Sequence, residues 1–224
     1  MTSSPLHIAI IPDGNRRWAR ARLWRPWKGH EVSAANFKTL LEWCRKDERI
    51  GTLTFWCLST ENWKRGEEEV SKLMELLENY LTNEGENMLK NGIRLLHSGR
   101  RERLPDSLIT LIDQIGEKTA KNDRLTLHLA IDYGGKDEVM RAMNRIEKRD
   151  ITEDDIRAHL DHPELPDIDL VIRTAGERRT SNFFLWQTAY AEWLFSEKLF
   201  PDFGTEDLKH ALDDFESRTR RYGA

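Results

Sequence analysis

Short apolar runs alternate along the chain with longer segments whose apolar residues recur at helical spacing. The apolar runs predict buried strands, and they lie at 7–11, 52–58, 93–96, 125–131, 169–172 and 192–195. The periodic segments predict amphipathic helices, and they lie at 29–44, 70–81, 105–121, 137–148, 153–160, 183–190 and 204–222. The chain, residues 1–224, is therefore predicted to form a single α/β domain with a central, mainly parallel sheet of about six strands flanked by helices.

Polar side chains follow four of the predicted strands. Asp13 follows the first strand and Asn62 the second. Asp132 follows the fourth strand, and the fifth ends at Arg173. Because ligands of parallel sheets bind outside the carboxyl ends of the strands, we expect these four side chains to converge on one site.

The segment after the fifth strand has the residues of an anion site. Arg173 leads into a Thr-Ala-Gly turn that is followed by Arg178 and Arg179. The next helix is predicted to begin near Ser181 or Asn182. Guanidinium groups and the free N–H groups of a helix start both bind phosphate oxygens. Taken alone, the segment also fits a surface loop with scattered arginines.

Composition narrows the function further. The apolar share is 38%, the charged share 33% and the net charge -4, with a mean hydropathy of -0.69. These values indicate a soluble protein without the basic field that nucleic acid binding favours. Two cysteines, Cys44 and Cys57, lie in apolar surroundings, so we expect no disulfide or zinc site and a cytoplasmic location. We also expect no signal peptide and no transmembrane segment.

Three segments resemble the cis-prenyltransferase family, which includes undecaprenyl and dehydrodolichyl diphosphate synthases. They are residues 7–19, 58–65 and 169–193, and they follow the order and spacing of the family. The resemblance implies Mg²⁺-dependent condensation of an allylic diphosphate with isopentenyl diphosphate, a hydrophobic tunnel or pocket, and a homodimer. Dimethylallyl diphosphate is the first candidate allylic substrate, and geranyl and farnesyl diphosphate are further candidates.

The resemblance also implies roles for three polar residues. Asp13 resembles the essential aspartate that binds magnesium, and Glu192 resembles a second acid linked to the metal. Asn62 resembles the residue to which family schemes assign proton removal. An amide is a poor base, so we expect Asn62 to position a diphosphate or a water that takes the proton.

The substrate-binding residues implied by the resemblance lie in all three segments, at the start of the helix predicted over 29–44, and at the carboxyl terminus. They are Gly14, Asn15, Arg16, Arg17, Trp18, His30, Leu58, Ser59, Thr60, Glu61, Trp63, Arg65, Arg173, Arg179, Thr180, Ser181 and Gly223. Arg173, Arg179 and Ser181 align with the clamp for the isopentenyl diphosphate. Trp18 fits either the core or a pocket wall.

Departures from the family pattern concentrate on the allylic side. Pro26 stands where bacterial relatives have a diphosphate-binding arginine, and the adjacent Arg25 is a candidate replacement. Trp56, Cys57 and Leu58 stand where relatives often have Tyr, Ala and Phe. Because strand residues alternate between faces, we expect one or two of the three to narrow the tunnel entrance. The expected product is therefore short.

Two alternatives remain open from the sequence. One is irregular coupling of two dimethylallyl diphosphates, with or without cyclisation, to a lavandulyl-type C10 diphosphate. The other is a non-catalytic subunit of a heteromeric prenyltransferase. Such subunits tend to lose the aspartate and arginine motifs, whereas Asp13, Arg173 and Glu192 are all present here, which favours an enzyme.

Overall fold

The computed structural model describes residues 4–218. Its strands are β1 (Leu6–Ile11), β2 (Ile50–Ser59), β3 (Ile93–Ser98), β4 (Leu125–Tyr133), β5 (Leu170–Arg173) and β6 (Glu192–Phe195). Its helices are α1 (Asn15–Ala21), α2 (Pro26–Lys46), α3 (Glu67–Lys90), α4 (Asp106–Thr119), α5 (Gly135–Arg145), α6 (Glu153–Ala158) and α7 (Thr205–Ser217). Single turns of 3-10 helix lie at Asn62–Lys64 and Phe200–Asp202. None of these helices has a stretch long and apolar enough to cross a membrane.

The six strands form one sheet in the order β3-β4-β2-β1-β5-β6. Every neighbouring pair is parallel, so the predicted α/β architecture is confirmed. Strands β1 and β5 are neighbours in the sheet. The strand that follows β1 in the chain, β2, lies on one side of this pair, and the strand that follows β5, β6, lies on the opposite side. The order therefore reverses between β1 and β5, and ligands of open α/β sheets bind at such a switch point. Asp13 and Arg173 lie at this point because Asp13 follows the end of β1 and Arg173 is the last residue of β5.

The two faces of the sheet carry separate apolar clusters. Ile8 and Ile10 belong to the larger cluster, which side chains of α2, α3, α4 and α7 complete. Ala9 and Ile11 point to the other face and join the smaller cluster, together with Phe183. The alternation along β1 is that of a strand buried on both sides.

The helix predicted over 183–190 is wrong. The structure has a series of turns there, with left-handed backbone at Ser181 (φ 51°), Asn182 (φ 68°) and Phe184 (φ 36°). An α-helix needs φ near -60° at each residue, so these three residues exclude a helix start. The apolar spacing reflects burial instead, since the Phe184 ring stacks on that of Tyr133 at 4.0 Å. The anion site therefore has no helix N-terminus at this position.

Candidate active site

A cavity of about 870 Å³ opens at the carboxyl ends of β1, β2 and β5. Its polar side is lined by Asp13, Gly14, Asn15, Arg16, Arg17, His30, Ser59, Glu61, Asn62, Arg65, Arg173, Glu177, Arg179, Ser181 and Asn182. Its apolar side is lined by Ala34, Phe37, Phe55, Trp56, Cys57, Leu58, Leu73, Leu76, Leu77, Tyr80 and Leu129. The two linings together suit a ligand with an anionic head and a hydrocarbon tail.

Arg173 and Asp13 form an ion pair at the switch point of the sheet. Nε and Nη2 of Arg173 both donate to Oδ2 of Asp13, at 2.9 and 2.7 Å. Arg173 is 3% exposed, and a charge that is so buried requires a counter-ion. The Asp13 side chain is 38% exposed, and its Oδ1 takes no hydrogen bond from Arg173. One carboxylate oxygen thus stays available to a cation.

The loop after β5 folds around the same guanidinium group. Nη1 of Arg173 donates to Oγ of Ser181 at 2.8 Å and to the carbonyl oxygen of Arg179. Ala175, within this loop, has left-handed backbone with φ 72°. Arg173 therefore lines the cavity and also holds the loop in place. Its side chain is buried because the loop packs around it.

Glu177 links two arginines on the rim of the cavity. Arg17 donates to Oε1 of Glu177 at 3.4 Å and to the carbonyl oxygen of Ala175 at 2.6 Å. Arg179 donates to Oε2 of Glu177. The arginine side chains are 53% and 62% exposed, so a diphosphate can reach both. Sequence reasoning missed Glu177, because a lone glutamate in a turn carries no signal.

Glu69 holds a second group of cationic side chains beside the cavity. Its carboxylate lies 3.5 Å from Nε of Arg16, 3.5 Å from Nη1 of Arg65 and 3.6 Å from Nε2 of His30. The neighbouring His30 ring, followed by the charges of the two arginines, lowers the pKa of Glu69. The sequence predicted all three partners but not Glu69, which lies in the first turn of α3.

Close packing of α1 on α2 fixes the predicted residues Gly14, Asn15 and His30. A Cβ on Gly29 would lie 2.0 Å from the carbonyl oxygen of Asn15, so only glycine allows this approach. Ser33 Oγ donates to Oδ1 of Asn15 at 2.6 Å, and Nδ2 of Asn15 lies 3.3 Å from Nδ1 of His30. Gly14 has φ 103°, which favours glycine. Asn15 therefore lies between the side chains of Ser33 and His30 and holds both in place.

The segment that contains Asn62 and Trp63 is fixed by the buried carboxylate of Asp132. Trp63 Nε1 donates to Oδ1 of Asp132 at 2.8 Å, and Arg103 Nε donates to Oδ2 at 2.9 Å. Asp132 is fully buried and does not line the cavity. Oδ1 of Asn62 accepts from the backbone N–H of Ser59 at 3.2 Å. Because that bond occupies the amide oxygen, the NH2 group of Asn62 is the part left for a ligand.

Of the strand positions expected to narrow the cavity, Cys57 and Leu58 pack with the cluster on the cavity face. A register shift in β2 between Trp56 and Leu58 places these two consecutive residues on one side. Trp56 also lines the cavity, but its ring lies 5.0 Å from that of Phe183, in the cluster on the other face. Burial raises the pKa of the Cys57 thiol to about 12, so the thiol stays neutral.

Five predicted site residues within residues 4–218 are not among those that line the cavity: Trp18, Thr60, Trp63, Thr180 and Glu192. Trp18 is a core residue, because it is 7% exposed and its Nε1 donates to Asp202 at 2.8 Å. Arg25, the candidate replacement for the arginine missing at Pro26, does not line the cavity, and its guanidinium lies 5.6 Å over the Trp27 ring. Gly223 lies outside the described residues.

The structure does not bring Glu192 to Asp13 within one chain. Glu192 begins β6 and pairs in register with Leu170, the first residue of β5. Asp13 follows the carboxyl end of β1, which is the opposite end of a parallel sheet. Glu192 instead accepts from Arg218 at 2.9 Å. Within residues 4–218, no group of three or more His, Cys, Asp or Glu is arranged to hold a metal ion.

A parallel α/β sheet with a cationic cavity mouth and an apolar interior defines a class of protein that binds amphiphilic phosphates. Residues 11–223 match the family model described as "Putative undecaprenyl diphosphate synthase". The chain is 44% identical to the isoprenyl transferase of Fusobacterium nucleatum, over 98% of this chain and 96% of that protein. It is also 44% identical to the isoprenyl transferase of Aquifex pyrophilus, with the same coverage. The chain belongs to the cis-prenyltransferase family and is a prenyl transferase.

Solved structures agree with this assignment. Lavandulyl diphosphate synthase from Lavandula x intermedia, in complex with dimethylallyl diphosphate, superposes with a TM-score of 0.92 at 34% identity, over 99% of both chains. A probable undecaprenyl diphosphate synthase from Campylobacter jejuni superposes with a TM-score of 0.84 at 35% identity, over the full length of both chains. The fold is therefore that of the prenyltransferases that these two structures represent.

Proposed function

We propose that the protein condenses an allylic diphosphate with a C5 prenyl diphosphate, with magnesium, and releases a short product. The observation that carries the proposal is the arrangement of two cationic groups at the mouth of one apolar cavity. One group is organised by Glu177 and the other by Glu69. Two groups suit two diphosphates, and the apolar cavity suits the hydrocarbon of the allylic substrate.

We assign the two diphosphates to the two groups. The isopentenyl diphosphate lies against Arg179, Ser181 and Arg173, whose guanidinium also donates to Asp13 and to Ser181. The allylic diphosphate lies against Arg16, His30 and Arg65. Negative charge grows on the allylic diphosphate as its C–O bond breaks, so fixed cations that are already in place stabilise the transition state.

Magnesium fits this site through Asp13. Mg²⁺ takes one or two carboxylates together with phosphate oxygens and waters, and Asp13 offers one oxygen that Arg173 does not use. When bound, the ion neutralises negative charge on the diphosphate. Arg173 holds the Asp13 carboxylate in place through its two hydrogen bonds to Oδ2.

Asn62 acts as a hydrogen-bond donor in this scheme. Since its oxygen accepts from Ser59, its NH2 group donates to a diphosphate oxygen. The proton released after the new C–C bond forms passes to a diphosphate oxygen or a water that Asn62 holds in place. This assignment needs no basic side chain at position 62.

The wall of the cavity supports a short product. The Phe37 ring lies 4.3 Å from that of Phe55 and 5.4 Å from that of Tyr80, and all three line the cavity. Cys57 and Leu58 add bulk on the same face. A growing hydrocarbon meets these side chains as it extends, so the aromatic wall limits the number of C5 units.

Irregular coupling of two dimethylallyl diphosphates is the second candidate. The similarity to a lavandulyl diphosphate synthase that binds dimethylallyl diphosphate supports it. Both candidates use the same two cationic groups. They differ in the acceptor that occupies the group around Arg173, which we propose as isopentenyl diphosphate in the first case and dimethylallyl diphosphate in the second.

One experiment tests both candidates. The purified protein is incubated with Mg²⁺ and dimethylallyl diphosphate, with and without isopentenyl diphosphate, and the products are identified by mass. Products that require both substrates and stay at or below about C30 support regular short-chain synthesis. A C10 diphosphate from dimethylallyl diphosphate alone supports irregular coupling. Longer chains contradict the short product, and no turnover by the isolated protein supports a non-catalytic subunit.

We also propose a homodimer as the active form. Apolar side chains on the face that carries α5 support it, since Met140 and Met143 are 56% and 40% exposed. Sedimentation of the purified protein tests the proposal, and a monomer that retains full activity contradicts it.

A further inference from the structure

The segment that joins α1 to α2 combines positive charge with exposed apolar side chains. Residues 14–30 contain six arginines and lysines, three tryptophans and no acid, in a chain with a net charge of -4. Leu23 is 96% exposed and Trp24 is 50% exposed. Leu23 also has left-handed backbone, with φ 58°, which a leucine adopts only at an energetic cost.

Three arginines of this segment have no acidic partner. Among residues 4–218, no carboxylate lies within ion-pair distance of Arg20, Arg22 or Arg25. Arg22 stacks over the Trp18 ring at 3.7 Å, and all three arginines are exposed. The surface is therefore a patch of uncompensated cations around an exposed leucine and tryptophan. We call residues 20–28 the arginine–tryptophan loop.

The arginine–tryptophan loop lies beside the mouth of the cavity. Arg17 precedes it on α1 and His30 follows it on α2, and both residues line the cavity. A surface that contacts this loop therefore lies next to the entrance for the amphiphilic substrate.

We propose that the arginine–tryptophan loop docks the protein on a bilayer surface that contains anionic phospholipids. Such a surface offers phosphates to the arginines and an interfacial layer to Leu23 and Trp24. A nucleic acid offers phosphates but no apolar phase that covers Leu23. A second copy of the chain, related by a two-fold axis, would bring like charges together. The proposal goes beyond the transferase reaction and does not depend on it.

Sedimentation with phosphatidylcholine vesicles, with and without phosphatidylglycerol, tests this proposal without any substrate. We expect binding to the anionic vesicles at low salt, reversal at high salt, and little binding to neutral vesicles. Each arginine removed weakens the partition about fivefold, the change expected for one basic residue near an anionic surface. A wild-type protein that binds neither kind of vesicle overturns the proposal.

Two variants and one control separate docking from folding. Leu23→Gly removes the exposed side chain and suits the left-handed backbone, and Arg20→Gln removes an exposed charge without a partner. Both are expected to weaken vesicle binding while the melting temperature and the turnover of soluble C5 substrates stay unchanged. Leu89→Gln, which replaces an exposed leucine on α3, is expected to bind vesicles normally. An equal loss in Leu89→Gln, or dissociation of a dimer in Leu23→Gly, overturns the proposal.

Discussion

Arg173 and Asp13 share one carboxylate oxygen, since two nitrogens of the guanidinium donate to Oδ2 at 2.9 and 2.7 Å. Asp13 therefore serves two purposes with its two oxygens. One neutralises a buried arginine, and the other remains open towards the cavity for the proposed metal ion. Substitutions of Asp13 can separate its contribution to neutralising Arg173 from its contribution to binding the metal ion.

Asp13→Asn keeps an oxygen that accepts from Arg173 but removes the negative charge. We expect turnover with Mg²⁺ to fall by about 10²–10³-fold or more, while the fold is retained. Asp13→Ala also leaves Arg173 without an acceptor, which costs about 1–3 kcal/mol of unfolding free energy in addition. Assays of turnover and urea denaturation measure the two effects. Glu197→Gln, at an exposed acid on the neighbouring loop, is the control, and an Asp13→Asn protein within tenfold of wild-type activity contradicts the metal assignment.

Arg179 and its neighbour Arg178 offer a matched pair for testing the isopentenyl site. Both are exposed and both pair with a glutamate, but only Arg179 lines the cavity. Arg179→Gln is expected to raise the KM for isopentenyl diphosphate about 10–100-fold, which corresponds to one charge-assisted hydrogen bond. Arg178→Gln is expected to change it less than threefold. Stability should change by less than about 0.5 kcal/mol in both variants. Equal KM values for the two variants contradict the assignment.

Asp132 and Arg103 are expected to be energetically coupled through the Trp63 segment. Arg103→Met leaves the fully buried Asp132 carboxylate without its cation. Because the Arg103 side chain is 41% exposed, solvent screens this pair, and we expect a cost of about 1–3 kcal/mol, below that of a fully buried pair. Asp132→Asn keeps an acceptor for Trp63 but turns an NH2 group towards Arg103, at a cost of about 1–3 kcal/mol. The double variant should cost less than the sum of the two. Urea denaturation of all four proteins measures the coupling, and additive losses contradict it.

The sequence predicted the sheet and the convergence of Asp13, Asn62 and Arg173, because strand patterns and the geometry of parallel sheets fix where strands end. The fourth residue expected there, Asp132, is instead fully buried and does not line the cavity. The prediction also failed at Ser181, where apolar spacing suggested a helix but three left-handed residues form turns. Apolar spacing reports burial, and the same burial arises in a packed series of turns. The position of Glu192 in the sheet was not predictable either, because a motif does not state at which end of the sheet its residues lie.

The carboxylates that organise the site were beyond prediction for a different reason. Glu69, Glu177 and Asp132 act through partners that are distant in sequence, and a single acid in a helix turn or loop has no distinguishing pattern. Their roles depend on which cations the fold places within a few ångströms. Only the three-dimensional structure supplies that information.

A buried chain of hydrogen bonds crosses the sheet on the face away from the cavity. It joins Ser98 Oγ to His128 Nε2 at 2.7 Å, His128 Nδ1 to Thr54 Oγ1 at 3.0 Å, and Thr54 Oγ1 to His7 Nε2 at 2.7 Å. His7 Nδ1 then meets the carbonyl oxygen of Pro166 at 2.8 Å. That carbonyl accepts only, so each group donates towards Pro166 and each histidine is neutral with its proton on Nδ1.

Stability is expected to fall in mild acid because of these histidines. Burial lowers the pKa of His7 from its ordinary value of 6.5 to about 4, and burial also lowers the pKa of His128. The unfolded chain therefore binds more protons than the folded chain between these values. Stability is complete above pH 6.5 and declines as the pH falls towards 4, by roughly 3 kcal/mol for His7 alone. Urea denaturation at intervals from pH 7 to pH 4 measures the decline.

The decline should begin between pH 6.5 and 5, above the range in which ordinary carboxylates take up protons. His7→Asn is expected to flatten this part of the curve, because asparagine does not titrate there. His210→Gln, at an exposed histidine on α7, is the control and should leave the curve unchanged. An unfolding free energy that is constant from pH 7 to pH 5 would show that the buried histidines are already protonated or that the unfolded chain does not protonate them, and either result contradicts the neutral chain of hydrogen bonds.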